Sequence, residues 1–179
     1  MISRSSAILI VIDIQGSLFK AMQDKENLLV NATKIIKGAK IFNLPIIVTE
    51  QIPEKLGQTI PDLTQELDGI ERIGKESFSC WGNNRFREKL ESLGRRKVII
   101  IGIESHICVY QTAVDLIDNG FSVHIVADAV SSRTKENSDI GLAAMKSAGA
   151  RLTSTEMVLF ELLRKASDAG FKDIQKIVK

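Results

Sequence analysis

Histidine, cysteine, proline and aromatic side chains are all scarce in this 179-residue chain. The two histidines, His106 and His124, are too few for zinc sites built on several histidines. The two cysteines, Cys80 and Cys108, do not make a disulfide framework for a chain of this size, so a reducing, cytoplasmic compartment is expected. No apolar run reaches the ~18 residues of a membrane span, and the longest, such as Ala7–Ile12 and residues 98–101, are strand-sized. The N-terminus also lacks the charged region, long apolar core and small-residue cleavage site of a secretory signal. Charge of one sign is missing as well. With 24 basic and 22 acidic residues the net charge is +2, and Arg95-Arg96-Lys97 is balanced by Glu88 and Glu91. No basic face is left to call for a nucleic acid, so the expected partner is a small-molecule substrate, with neither nucleic acid nor membrane involved. Phosphate-cradling glycine motifs are absent, which excludes dinucleotide and P-loop readings, and no G-x-S-x-G elbow marks a serine hydrolase.

What is present is ordinary globular material, 44% hydrophobic and 26% charged, of a length suited to one domain over 1–179. Residues 7–12 form a continuous β-branched run, as in a strand covered on both faces. Residues 28–42 carry apolar side chains at helical spacing, and Asn43-Leu44-Pro45 stops that helix before a strand at 46–48. A polar excursion over 50–69 holds Pro53 and Pro61, with a short helix expected after Pro61 and a weak strand at 70–73. A helix over 83–93 precedes the strongest strand, 98–101. A helix opening near Cys108, a strand at 123–126, a helix over 135–148, a strand at 151–153 and a helix capped by Thr155 follow. Strands alternating with helices at this spacing mean an α/β fold with a parallel sheet covered on both faces.

In such sheets chemistry collects at the carboxyl ends of the strands. That selects Asp13, Thr49-Glu50-Gln51, the neighbourhood of Lys75, and residues 102–108. Asp13 emerges from a hydrophobic layer, where a carboxylate is suited to proton transfer, although an aspartate there also caps a turn. Cys108 lies at a helix start, where the dipole and free N–H groups favour a thiolate and can hold an oxyanion; cysteine is equally a common buried residue. Lys75 beside a thiolate would stabilise the anion, and most lysines are simply solvated. His106 reads as local, His124 as a residue in or beside the core, and Cys80 as a pocket-edge or packing residue.

Three groups of residues line up in one order: Val11-Ile12-Asp13-Ile14-Gln15, then Lys75-Glu76-Ser77-Phe78-Ser79, then residues 102–109, Gly-Ile-Glu-Ser-His-Ile-Cys-Val. Downstream come Gln111-Thr112-Ala113-Val114-Asp115-Leu116 and Val126-Ala127-Asp128-Ala129-Val130-Ser131-Ser132-Arg133. Together they resemble the isochorismatase-like cysteine hydrolase superfamily, which includes nicotinamidases and N-carbamoylsarcosine amidases. The resemblance implies a three-layer α/β/α domain on a six-stranded, mostly parallel, Rossmann-like sheet of order 3-2-1-4-5-6. It implies a catalytic triad of Asp13, Lys75 and Cys108, a cis peptide at Ile103–Glu104, and an oxyanion hole from the amides of Glu104 and Cys108. Gln15, Phe19, Phe78 and Trp81 would then border the substrate pocket.

Nicotinamidases follow their second strand with an Asp-x-His metal motif, where this chain has Thr49-Glu50-Gln51. No metal and no cofactor are therefore expected. Some isochorismatases have glycine at the position of Cys108, so a retained cysteine favours covalent amide chemistry. The leading expectation is an amide or carbamoyl hydrolase working through a Cys108 thioester. A hydrolase without a covalent intermediate and a non-catalytic oligomeric binding module stand beside it. A homo-oligomer is expected, because the segment from Met157 to Leu163 has more apolar positions than one buried stripe needs.

Overall fold

The computed structural model describes residues Met1–Lys179. The strands are β1 (Ala7–Ile12), β2 (Ile46–Gln51), β3 (Arg72–Lys75), β4 (Lys97–Ile103), β5 (Ser122–Ser131) and β6 (Arg151–Thr153). The helices are α1 (Gly16–Lys20), α2 (Lys25–Ile41), α3 (Pro53–Leu56), α4 (Pro61–Thr64), α5 (Asn84–Ser92), α6 (Tyr110–Asp118), α7 (Lys135–Ser147), α8 (Thr155–Leu163) and α9 (Phe171–Val178). The strands form one sheet, ordered β3-β2-β1-β4-β5-β6, and every pairing is parallel.

Strand periodicity splits the apolar run of β1 between two cores. Leu9 and Val11 face a layer packed by Ala32, Ile35, Ile36 and Ala39 of α2 and by Val158, Leu159 and Leu162 of α8. Ile8, Ile10 and Ile12 face the other layer, with Phe86 and Leu90 of α5, Ala113 and Leu116 of α6, and Met145 of α7. Both cysteines belong to this second layer.

The sequence reading departs from the structure at several ends. The helical turn expected near Cys108 begins three residues earlier, as a wide π-type turn over Ser105–Val109 that runs into α6. Strand β2 continues through Glu50 and Gln51, which are buried rather than part of a surface excursion. Ser154, not Thr155, caps α8: its hydroxyl accepts from the Met157 N–H, while the Thr155 hydroxyl donates to Asp128. Strand β5 runs five residues past 126, because its register slips against β4. Ile125 pairs with Ile100 and Val130 with Gly102, so five steps of β5 match two of β4. The helices α1, α3 and α9 have no counterpart in the sequence reading.

Candidate active site

The carboxyl ends of β1 and β4 touch at a position only glycine can hold. Gly102 pairs with Ile12 at φ +131°, and a Cβ there would lie 2.1 Å from the Ile12 carbonyl oxygen. This contact brings the residue that leaves β1, Asp13, beside the turn that leaves β4. Asp13 itself turns in the left-handed region at φ +52°, a conformation aspartate tolerates better than most residues.

Two donors fix the Asp13 carboxylate, one on each oxygen. Thr49 Oγ1 donates to Oδ1 at 2.7 Å, and Lys75 Nζ donates to Oδ2 at 2.7 Å. The Lys75 ammonium also donates to Gln51 Oε1 at 2.6 Å and to the carbonyls of Ser77 and Phe78 at 3.1 and 3.0 Å. The backbone after β3 therefore folds back over the lysine, and the side chains of both Asp13 and Lys75 are closed to solvent. Burial alone would lower the Lys75 pKa. The Asp13 carboxylate, by its charge and its hydrogen bond, outweighs it, and the lysine stays charged above its ordinary range.

Cys108 lies in the turn against this pair and is 6% exposed. Its thiol pKa is pushed far up, first by burial and next by the Asp13 charge and hydrogen bonding, with Lys75 opposing. Burial and the carboxylate thus work against the thiolate expected from a helix start and a nearby cation. Burial likewise raises Cys80, to about 11, with Lys75 opposing.

The turn that carries Cys108 is fastened from outside. Glu104 Oε2 accepts from the Arg133 backbone N–H at 3.1 Å and from Arg133 Nε at 3.0 Å. His106 Nδ1 and Ser132 Oγ share a hydrogen bond of 3.0 Å, and the Ile103–Glu104 peptide is cis. On the far side, Gly141 of α7 passes so close that a Cβ would lie 2.9 Å from the His106 backbone. The extension of β5 is what delivers Ser132 and Arg133 to this place.

The four expected pocket residues divide. Gln15 is fully buried and clamps backbone: its Oε1 accepts from the Gln51 N–H at 2.6 Å, and its Nε2 donates to the Gln51 and Gly57 carbonyls at 3.1 and 2.5 Å. Phe19 packs with Met22, Leu28 and Ile103, one residue from Glu104. Phe78 is 54% exposed beside the backbone that holds Lys75. Trp81 packs edge-on against Phe121, with ring centroids 6.0 Å apart. A polar cleft of about 790 Å³ runs outside β3, between Ile52–Glu54 and Gly82–Arg85. Thr49 and Gln51, marked in the sequence as a strand end and as the replacement of a metal motif, prove to be partners of Asp13 and Lys75.

A metal held after β2 does not fit these residues. Thr49 is engaged by Asp13, Gln51 by Lys75, and Glu50 Oε1 accepts from both the N–H and the hydroxyl of Thr59 at 2.7 Å.

A model of the isochorismatase domain matches residues 7–157. The chain belongs to the isochorismatase-domain family. Isochorismatase domain-containing protein 2 of Xenopus laevis is 37% identical over 174 residues, spanning 97% of this chain and 83% of that protein. The secreted isochorismatase effector Isc1 of Phytophthora sojae is 34% identical over 179 residues, spanning 97% and 85%. Among solved structures, the MAR1 ribonuclease of Caenorhabditis elegans superposes with a TM-score of 0.93 at 33% identity, over 99% of this chain and 91% of that one. YcaC of Pseudomonas aeruginosa, seen with covalent acrylamide, gives 0.93 at 25% identity over 98% and 90%. YcaC of Escherichia coli, described as an octameric hydrolase of unknown specificity, gives 0.93 at 25% over 98% and 89%. The isochorismatase-family chain is thus a hydrolase-like domain. No helix is long and apolar enough to cross a membrane. Isc1 is described as secreted, so family membership does not by itself dictate the cytoplasmic placement read from the cysteines.

Proposed function

We propose that this chain is a metal-independent cysteine hydrolase of small amide or carbamoyl substrates. The observation that carries the reading is the buried Cys108 thiol set against a carboxylate that Lys75 holds in place. A neutral thiol has to lose its proton as it attacks, and Asp13 is the base in position. The Cys108 sulfur bonds to the carbonyl carbon while its proton passes to Asp13. The amides of Glu104 and Cys108 receive the oxyanion. Collapse breaks the C–N bond, and Asp13 returns the proton to the leaving nitrogen. Water then attacks the thioester, giving a proton to Asp13 and its hydroxyl to the acyl group. The C–S bond breaks, the acid leaves, and the thiol regains its proton. Covalent acrylamide on the similar YcaC supports a reactive group in this fold.

The test is ammonia release from a panel of small amides and carbamoyl compounds, with mass spectrometry of the protein. The wild-type chain is expected to show an acyl adduct on Cys108, and Cys108→Ser to keep its fold while losing at least about 10³-fold in turnover. A fully active Cys108→Ser would hand the reading to a hydrolase without a thioester. No turnover across the panel would favour a binding module.

We also propose a homo-oligomer. Val158, Leu159, Leu162 and Leu163 of α8 are buried within the chain, whereas Met157 and Phe160 are 59% and 44% exposed. They are large apolar side chains with no cover in one copy. The octameric YcaC of Escherichia coli supports association. Sedimentation at micromolar concentration is expected to give a mass well above the 19.8 kDa of one chain, and a monomeric mass would overturn the idea.

A further inference from the structure

Cys80 is a fully buried thiol that the proposed hydrolysis does not use, and one hydroxyl separates it from the base. Its Sγ lies 3.7 Å from Thr49 Oγ1, which lies 2.7 Å from Asp13 Oδ1. An ionised carboxylate only accepts, so the single Thr49 hydroxyl proton points at Asp13, and Thr49 is left to accept from elsewhere. The Cys80 S–H is the donor in place. At about 11 its pKa keeps that proton on sulfur at neutral pH. The backbone around it is held too: the Cys80 N–H donates to Thr112 Oγ1 at 2.9 Å, and the Trp81 N–H donates to Ser79 Oγ at 3.2 Å. Cys80 thus reaches the carboxylate through Thr49 from inside the second core layer.

We propose that Cys80 and Thr49 form a hydrogen-bond relay that positions Asp13 and disperses its charge, setting the pH at which Cys108 becomes reactive. Both are positioning residues, and the proposal rests on the reading of Asp13 and Cys108 given above. The Asp13 charge is one of the forces holding the Cys108 proton in place. Each donor on the carboxylate draws some of that charge away. Removing the Thr49 donor concentrates the charge, so Cys108 should ionise at higher pH. Removing Cys80 weakens the polarisation of Thr49 and should act in the same direction by less. A cysteine that only filled space would change stability and leave the pH profile alone.

The experiment is carbamidomethylation of the full chain by iodoacetamide across a pH series, with the rate at Cys108 read by mass spectrometry of its peptide. Thr49→Val is expected to raise the midpoint by about one pH unit, and Thr49→Ser to restore it. Cys80→Ala is expected to raise it by a few tenths of a unit, and Cys80→Ser to leave it near wild type. The same series includes Asp13→Asn, expected to lower the midpoint. An unchanged midpoint in Asp13→Asn would sink the underlying site reading. A lowered midpoint there with an unmoved Thr49→Val would overturn the relay alone. If Thr49→Val fails to fold, Cys80→Ala decides: a lower melting temperature with an unmoved midpoint makes Cys80 a packing residue and overturns the relay.

Discussion

Asp13→Asn is expected to make Cys108 easier to alkylate and, at the same time, to abolish turnover. The two effects separate the charge of Asp13 from its function. In the wild type, burial and the Asp13 carboxylate hold the proton on Cys108 against the pull of Lys75. The amide removes one of these two forces and leaves the lysine cation in place. A unit charge at ~4 Å is worth about 4 kcal/mol at intermediate dielectric, so the alkylation midpoint should fall by at least about one pH unit even after relaxation. Turnover should nonetheless fall by about 10² to 10⁴, because an amide accepts no proton from the attacking thiol. Stopped alkylation with site-resolved mass spectrometry, run beside the ammonia assay, checks both. A midpoint that rises instead would mean that Asp13 acts on Cys108 through geometry rather than charge.

Lys75→Met is expected to be strongly destabilising. It leaves the Asp13 carboxylate buried, with its Thr49 donor and no cation. Removing one member of a buried pair costs about 3–5 kcal/mol, since the survivor keeps its desolvation penalty. For a chain of this length that is a loss of about 10 °C or more in melting temperature. Asp13→Asn combined with Lys75→Met should recover most of it, because the double variant buries no unpaired charge. The sign with pH follows from the raised Lys75 pKa. Its contribution is fully present below the ordinary lysine value and is lost only as pH rises through the higher folded value. Wild-type stability should therefore show no Lys75-dependent loss from about pH 6 to about pH 9. Calorimetry of the three variants tests this, and a Lys75→Met chain that melts like wild type would refute the buried-pair account.

The fold was legible where one physical signal dominates. The β-branched runs of β1 and β4 read as doubly covered strands, and the stripe of α2 read as a helix. The strand ends also pointed to Asp13, Lys75 and Cys108, which the structure brings to one place. What the sequence did not reveal was distance. A lysine and a helix start near Cys108 suggest a thiolate, and only the fold shows that the pair is desolvated with a carboxylate between its members. The same lack hid the end of β5. Asp128 lies beyond the strand expected at 123–126, yet its carboxylate accepts from the Thr155 N–H at 2.8 Å and its carbonyl from Asn31 Nδ2 at 2.8 Å. Gln15 was placed at the pocket by the resemblance, and its clamp on Gln51 could not be seen without the neighbouring strand.

The central position of β1 has a consequence for how the chain is made. Ile8 pairs on one side with Val98 of β4, and Leu9 on the other with Ile46 of β2. Of the six strands β1 is made first, yet its second edge stays uncovered until β4 is made. Six consecutive apolar residues without charge or proline are the pattern that nucleates intermolecular strand pairing. Until β4 emerges, one edge of Ala7–Ile12 stays open to other nascent chains. Yield in cells should accordingly depend on chaperone supply and on the speed of translation across α5 and β4 more than on the stability of the finished protein.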